Sequence, residues 1–271
     1  MTTPAGPAAL AVQGVRVSYP APGGTRFRAL SDVSLVLGES EYVVVIGANG
    51  AGKSTLINAI AGAVVPEAGV ISIDGHPIER MSLLNRARLV SRVFQDPSVG
   101  VCLELTLEEN LVLGMLKGRR RSPFRRAATK ERRSRATELL RDYGRGLDAQ
   151  LNQPAASLSG GQRQLVALTV AMAQIPRILL LDEHTSALDP EIARVVMERT
   201  DEAVRERRLT TVMVTHNMRQ AARYGDRLVI MSRGRIVDDI GRDEKAALGE
   251  DGLIERFRSV LAEELTDRIL G

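Results

Sequence analysis

The chain has 271 residues, of which 44% are hydrophobic, so it can fill the core of one large domain or of two small ones. Its formal net charge is +4, and with 3% aromatic residues and no Trp it lacks the stacking platforms that single-stranded nucleic acids bind. The chain has a single cysteine, Cys102, which excludes an intrachain disulfide and is expected to be a small buried side chain. The sequence shows neither a signal-peptide pattern nor an apolar run of roughly 20 residues, which predicts a soluble cytoplasmic protein.

Predicted strands account for most of the apolar runs. Residues 10–19 alternate as a half-buried strand does, and residues 33–37 predict another strand. Residues 70–78 contain a strand followed by an Asp-Gly pair, which predicts a hairpin turn in an antiparallel layer. Uninterrupted apolar runs between turn or polar residues are typical of parallel strands covered on both faces, and these lie at 43–46, 178–181, 211–214 and 228–231.

The segment GANGAGKST, residues 47–55, fits the phosphate-binding pattern G-x-x-x-x-G-K-[ST], between a predicted strand and a predicted helix. A glycine-rich turn with a solvated lysine is the alternative, which this strand–loop–helix context disfavours. Lys53 is predicted to neutralise the β- and γ-phosphates of a nucleotide, and Ser54 to ligate Mg²⁺. The predicted cradle, called the P-loop below, consists of Gly47, Ala48, Asn49, Gly50, Ala51, Gly52, Lys53, Ser54 and Thr55.

From about residue 105 to 175 the pattern is almost wholly helical. Thr106 is a predicted helix N-cap, with Glu109 three residues on to complete a capping box. Further along, LSGGQRQ, residues 158–164, opens another helix. A helix N-terminus attracts anions, so this segment predicts a second phosphate contact, made by Ser159, Gly160, Gly161 and Gln162.

The segment ILLLDE, residues 178–183, predicts a buried strand with two acids at its carboxyl end, where open α/β sheets bind ligands. Asp182 is predicted to hold Mg²⁺, and Glu183 to orient or deprotonate the attacking water. An ordinary acidic strand end is the alternative, which the P-loop in the same chain disfavours. Asp189 and Pro190 then predict the start of a further helix.

The pentapeptide LSGGQ, residues 158–162, resembles the signature of the ATP-binding-cassette (ABC) family, and further motifs of that family follow in order. Tyr19 matches its adenine-stacking aromatic, and Gln95 its glutamine that touches Mg²⁺ and faces the membrane partner. Residues 186–189, SALD, match its D-loop. His216 matches its catalytic histidine that hydrogen-bonds the γ-phosphate. The resemblance covers roughly residues 10–240.

The resemblance implies an ATPase that works as a homodimer with ATP and Mg²⁺. In this family two copies pack head to tail, and the signature helix of one contacts the nucleotide held by the P-loop of the other. Ser159, Gly161 and Gln162 are thus expected to serve the partner's nucleotide, with Asp189 of the D-loop also at the nucleotide. The implied fold is α/β: a P-loop core with a mostly parallel sheet, an antiparallel edge layer and an inserted helical subdomain.

The expected boundaries are an ATPase domain over 10–245, with the helical subdomain at about 100–175, and a helical tail over 246–271 that packs on the core. With one cassette and no membrane span in the sequence, transport needs a separate permease on the inner face of the membrane. Finer features, including His184 where many cassettes have Pro, resemble the ATPases of tryptophan/tyrosine-type import systems that use a lipoprotein binding protein. An exporter ATPase and a soluble non-transport ATPase remain the alternatives.

The net positive charge comes from one segment, residues 117–135, which has ten Lys or Arg and one Glu, whereas the rest of the chain is net negative. Within the helical insertion this segment is either a solvated arm between helices or a contact with anionic lipid headgroups. No recognition motif for nucleic acid accompanies it, so we do not expect a nucleic-acid partner.

Overall fold

The structure, a computed structural model, describes residues 8–119, 129–144 and 146–270. Much of the basic segment 117–135 lies outside these ranges, so its two interpretations stay predictions. Along the described residues the strands are β1 (Ala8–Pro20), β2 (Arg26–Gly38), β3 (Tyr42–Ile46), β4 (Ala68–Ile73), β5 (His76–Pro77), β6 (Val90–Val93), β7 (Ile178–Asp182), β8 (Thr210–Val214), β9 (Arg227–Ser232) and β10 (Arg235–Ile240). The α-helices there are α1 (Lys53–Ile60), α2 (Leu83–Leu89), α3 (Leu107–Leu116), α4 (Lys130–Tyr143), α5 (Gly160–Met172), α6 (Pro190–Glu206), α7 (Met218–Arg223) and α8 (Arg242–Leu270).

The chain forms two compact units. The first comprises Met1–Gly75 with Val212–Gly271, and the second comprises His76–Thr211. Along the described residues, no helix is long and apolar enough to cross a membrane. The domain boundaries expected from the sequence stay predictions.

In the first unit, β1 pairs antiparallel with both β2 and β4, as the alternating patterns predicted. Leu10 lies opposite Ile73, and both are buried because this layer covers apolar side chains on its inner face. After β4 the chain turns through Asp74 and Gly75, both with positive φ (50° and 75°). That conformation is the type I′ turn expected of an Asp-Gly pair.

The uninterrupted apolar runs of the first unit form a parallel pair, as predicted. Strand β3 runs parallel to β9, and all five residues of β3 are buried. Strand β10 then adds antiparallel to β9. The guanidinium of Arg227 pairs with Asp239 at 2.6 Å and with Glu41 at 3.1 Å, so it fastens the two strands and the turn before β3 together.

The predicted C-terminal helix is present within α8, which begins at Arg242 and is broken by a kink at Gly249 (φ 63°). Leu253 on this helix is buried, and Arg256 pairs with Asp238 of β10 at 2.6 Å. Near the start of α8, the buried ammonium of Lys245 donates to the backbone carbonyls of Tyr224 and Gly225, the latter at 3.1 Å. This part of α8 is therefore anchored to its own unit.

In the second unit, β6 and β7 run parallel, with Val90 opposite Ile178. Helix α3 begins with the predicted capping box of Thr106 and Glu109. The predicted helical region is less uniform than expected, because residues 146–159 fold into turns and short 3₁₀ segments. Cys102 is exposed, which corrects the expectation that it is buried.

Candidate nucleotide-binding site

The P-loop places β3 and α1 on either side of a tight backbone cradle. A Cβ at Gly47 would lie 2.2 Å from the carbonyl oxygen of Met231, so only glycine fits there. Gly52, at φ 100°, is the N-cap of α1, and a Cβ there would lie 2.5 Å from the carbonyl oxygen of Ala29. The first turn of α1 therefore presents its N–H groups to the cradle, an arrangement that fits a phosphate.

Lys53 is the first residue of α1, and it is only 5% exposed. Its ammonium donates to the carbonyl oxygens of Gly47 and Ala48, at 2.8 and 3.2 Å, so it lies over the loop rather than in solvent. A buried lysine held at the rim of a phosphate cradle fits the predicted role. The next residue, Ser54, is exposed and offers the hard oxygen ligand that Mg²⁺ prefers.

The first unit also contains Tyr19 and His216. Tyr19 lies opposite Phe27 near the ends of β1 and β2, and the two side chains are 37% and 55% exposed, so an aromatic face is accessible for stacking. His216 is exposed in the turn between β8 and α7. That turn is held by Thr215, whose backbone N–H donates to Val45 of β3 and whose hydroxyl accepts from the N–H of Asn217, at 3.2 and 3.0 Å.

In the second unit, Asp182 is the last residue of β7, at the carboxyl end of the strand, as predicted. Its carboxylate pairs with the guanidinium of Arg92 on the neighbouring β6, and both side chains are largely buried. The same guanidinium stacks 4.6 Å from the ring centroid of Phe94. Sequence analysis did not identify Arg92, because the short strand β6 has no uninterrupted apolar run and only the β6–β7 pairing brings the two charges together.

Glu183 follows Asp182 in the left-handed region, at φ 47°, a conformation that costs free energy in a residue other than glycine. Its carbonyl oxygen accepts from the backbone N–H of Ser186 at 3.0 Å and from the Ser186 hydroxyl at 2.9 Å. The first residue of the D-loop, residues 186–189, is therefore hydrogen-bonded directly to the backbone of Glu183. Asp189 occupies the N-cap position of α6 as predicted, but its side chain makes no capping hydrogen bond.

His184 is 2% exposed and lies inside the second unit, so its ring belongs to the packing and not to the surface. Its Nε2 lies 3.2 Å from the hydroxyl of Thr200 on α6. Burial lowers the pKa of His184 from 6.5 to about 4, so the ring is neutral near pH 7.

Because His184 is buried in its neutral form, we expect the free energy of unfolding to fall in acid. The unfolded chain takes up a proton below pH 6.5 but the folded protein does so only near pH 4, so the stability falls as the pH drops through that window. Between pH 7.5 and pH 5 we expect His184 to reduce the free energy of unfolding by about 2 kcal/mol. Urea titrations at the two pH values, on the wild type and on His184→Gln, measure the difference; identical pH slopes in both proteins would contradict this prediction.

The predicted signature helix is α5, and Ser159 is its N-cap. The Ser159 hydroxyl accepts from the N–H of Gln162 at 3.3 Å, while the Gln162 side chain accepts from the N–H of Ser159 at 3.0 Å. This capping box fixes the helix start and leaves Ser159 and Gly160 exposed. Beside it lies a pocket of about 330 Å³, lined by Gly144, Ser159, Gly161, Gln162, Leu165, Glu191, Ile192, Val195 and Val196.

Gly161 has a packing role that sequence analysis did not identify. A Cβ at this position would lie 2.3 Å from Cγ2 of Ile192 on α6, so the glycine allows the two helices to approach each other closely. Its expected contact with a partner's nucleotide stays a prediction.

Gln95 is exposed just after β6, so its side chain is accessible to a partner. Its expected contacts with Mg²⁺ and with the membrane partner stay predictions. The preceding carbonyl, of Phe94, accepts from the buried amide of Gln164 on α5 at 3.1 Å, so the segment that carries Gln95 is tied directly to the signature helix. The N–H of Cys102 donates to the side chain of Asn110 at 2.8 Å, which anchors the far end of this segment. Gln164 is a further site-supporting residue that sequence analysis missed.

The predicted site residues divide between the two units. The P-loop, Tyr19 and His216 belong to the first unit, whereas Gln95, the signature, Asp182, Glu183 and the D-loop belong to the second. Within each unit they lie at strand ends, at helix starts or in the turns beside them.

Comparison with known proteins shows the family of the chain. The family model of the ABC transporter matches residues 30–186. The chain is 38% identical over 248 residues to the tyrosine transport ATP-binding protein of Clostridioides difficile, covering 92% of this chain and 98% of that protein. It is 39% identical over 215 residues to the glutamate transport ATP-binding protein GluA of Corynebacterium efficiens, covering 79% of this chain and 84% of that protein.

Solved structures show the same fold. The chain is similar to cbiO1 of Clostridium perfringens, part of the ABC transporter complex cbiONQ, with a TM-score of 0.76 and 26% identity over 97% of this chain and 100% of that one. It is also similar to the ATP-binding cassette MJ0796 in a dimeric post-hydrolysis state with ADP and phosphate, with a TM-score of 0.74 and 29% identity over 86% of this chain and 98% of that one. The α/β fold predicted from the sequence is thus confirmed.

Proposed function

The chain belongs to the family of ABC transporter ATP-binding proteins and is the ATPase subunit of a transport system, and we propose that it powers the import of a small solute such as an amino acid. The observation that carries the proposed solute class is the 38% identity to a tyrosine transport ATP-binding protein, which extends over 92% of this chain and 98% of that protein. The proposed direction, import, rests on the resemblance of the sequence to the ATPases of tryptophan/tyrosine-type import systems. The similarity to a glutamate transport ATP-binding protein supports the same solute class.

We propose that ATP binds through its phosphates to the P-loop, with Lys53 as the counter-charge and Tyr19 stacked on the adenine. The cradle of the P-loop and the buried position of Lys53 support this assignment. Glu183 is the proposed general base that takes a proton from the attacking water, and His216 the proposed hydrogen-bond donor to the γ-phosphate.

Ser54, Gln95 and Asp182 are the proposed ligands of Mg²⁺. A hydroxyl, an amide and a carboxylate are the hard oxygen donors that this ion prefers, and bound Mg²⁺ neutralises charge on the phosphates. Arg92 holds one carboxylate oxygen of Asp182, which restricts the orientation of the carboxylate.

We propose that the active form is a homodimer with two composite sites. In each composite site, the P-loop of one copy binds the nucleotide. The site is completed by the partner's Ser159, Gly160, Gly161, Gln162 and Asp189. The exposure of Ser159 and Gly160 supports this arrangement, as does the dimeric state of the similar cassette MJ0796.

The proposed partners are integral membrane permease subunits and an extracytoplasmic substrate-binding protein, which place the chain on the cytoplasmic face of the membrane. In such a complex the exposed Gln95 and the helices around it face the permease, and the tie from Phe94 to Gln164 links that face to the signature helix.

Co-purification tests this proposal. If a permease controls the ATPase, the membrane proteins that co-purify with a tagged chain should include one. The assembled complex should then hydrolyse ATP several-fold faster than the isolated chain. In proteoliposomes, ATP supplied on the ATPase side should drive a labelled amino acid across the membrane towards that side. A complex that carries Glu183→Gln is the background control. An isolated chain that hydrolyses at the full rate, indifferent to membrane proteins, would argue for a soluble role.

A further inference from the structure

His184 is a buried, polar residue beside Asp182 and Glu183, and neither the proposed nucleotide binding nor the proposed dimer contact accounts for it. It follows Glu183 directly, and its ring reaches Thr200 in the middle of α6. Thr200 is itself completely buried. If the residue only filled space, an apolar side chain would do so without burying a polar atom that needs a hydrogen-bond partner. The buried pairing of His184 with Thr200 therefore requires an explanation.

The direction of this hydrogen bond follows from its neighbours. The Thr200 hydroxyl lies 2.8 Å from the carbonyl oxygen of Val196, one turn earlier in α6, and donates its single proton there. At 3.2 Å from His184, the same oxygen is therefore an acceptor, and Nε2 of the imidazole is the donor. The ring is thus held in the Nε2–H tautomer by a short buried chain of hydrogen bonds that ends on the backbone of α6.

This chain of hydrogen bonds and the start of the D-loop both restrain the backbone that follows Glu183. The Glu183 carbonyl accepts two hydrogen bonds from Ser186, while the side chain of the next residue is fastened to Thr200. A left-handed conformation at a glutamate persists only when its surroundings enforce it. Both restraints act on the residue whose carboxylate must reach the attacking water.

We propose that His184 is a positioning residue: through its hydrogen bond to Thr200 it holds Glu183 and the start of the D-loop in a fixed position relative to α6. This inference rests on the proposed role of Glu183 as general base. His184 does not touch the nucleotide; it acts by keeping the carboxylate of Glu183 in place, and small displacements of a catalytic group reduce the rate strongly.

The test uses substitutions at both ends of the bond. His184→Ala removes the donor, and Thr200→Val removes the acceptor at nearly constant volume. Thr200→Ser keeps the hydroxyl, and His184→Gln keeps an amide N–H near the position of Nε2. Val204→Ala is the matched control, because it truncates another buried side chain of α6, one turn after Thr200, that has no polar atom to pair with His184.

We expect kcat for ATP hydrolysis to fall by about 10- to 100-fold in His184→Ala and in Thr200→Val, with ATP affinity unchanged, because the P-loop lies on separate elements. The double variant should lose no more than either single variant, since both remove the same bond. Thr200→Ser and Val204→Ala should retain near wild-type kcat, and His184→Gln should recover much of it. In ¹⁵N spectra the wild-type ring should show the Nε2–H tautomer.

Three results would contradict the positioning role of His184. Folded Thr200→Val with wild-type kcat would overturn the proposal, as would a loss of the same size in Val204→Ala, or an Nδ1–H tautomer. If His184→Ala does not fold, Thr200→Val with its Thr200→Ser partner still decides the question. Glu183→Gln separates the two levels: an active Glu183→Gln would refute the general-base role itself, whereas an inactive one beside a fully active Thr200→Val would refute only the positioning role.

Discussion

Replacement of Glu183 by Gln is expected to slow ATP hydrolysis by about 10²- to 10⁴-fold, the usual contribution of a general base. Gln has the same shape but does not accept a proton from the attacking water. The substitution leaves the P-loop untouched, so equilibrium binding of ATP should stay close to wild type. Because the nucleotide is bound but not cleaved, the variant should accumulate as an ATP-bound dimer.

Three measurements check this result: steady-state phosphate release, binding of a fluorescent ATP analogue, and light scattering of the variant with ATP and Mg²⁺. Wild-type turnover in Glu183→Gln would refute the assigned role. Lys53→Ala is the contrasting variant, since it removes the ammonium that lies over the P-loop and should weaken nucleotide binding itself.

The parts of the fold that the sequence predicted are those with a local physical cause. The P-loop was predictable because its glycines and its lysine lie within nine consecutive residues, 47–55, directly between a strand and a helix. The strands β3, β7, β8 and β9 are uninterrupted apolar runs because their side chains are buried on both faces, which is visible in the sequence alone. The helix caps at Thr106 and Ser159 follow from the same local chemistry.

The features that sequence analysis missed depend on distant partners. Arg92 acquires its role only because β6 pairs with β7 and brings it to Asp182. Gly161 is required by Ile192 on another helix, and Gln164 by a carbonyl 70 residues earlier in the chain. His184 stood out in the sequence, but only the burial of its ring and the position of Thr200 indicate a function.

The proposed composite site makes a second prediction with a large effect. Ser159→Arg places a bulky charge at the exposed start of α5, where the partner's γ-phosphate is expected. ATP should still bind to the mutant's own P-loop, because the proposed composite site places Ser159 at the partner's nucleotide and not at that of its own chain. Homodimers of the variant should neither close nor hydrolyse ATP. Ser159→Ala is the matched control, because it also removes the N-cap, at a cost of about 1 kcal/mol, but adds no bulk.

Mixing then decides whether the signature acts on its own chain or on its partner. In a heterodimer of Ser159→Arg with Lys53→Ala, a signature that serves the partner places both lesions in one composite site and leaves the other site intact. ATP binding and part of the hydrolysis should therefore return on mixing, although each homodimer is inactive. If the signature served its own chain, each site would carry one lesion and no activity would return. The sign of the change in phosphate release, measured on heterodimers isolated with two different affinity tags, distinguishes the two arrangements.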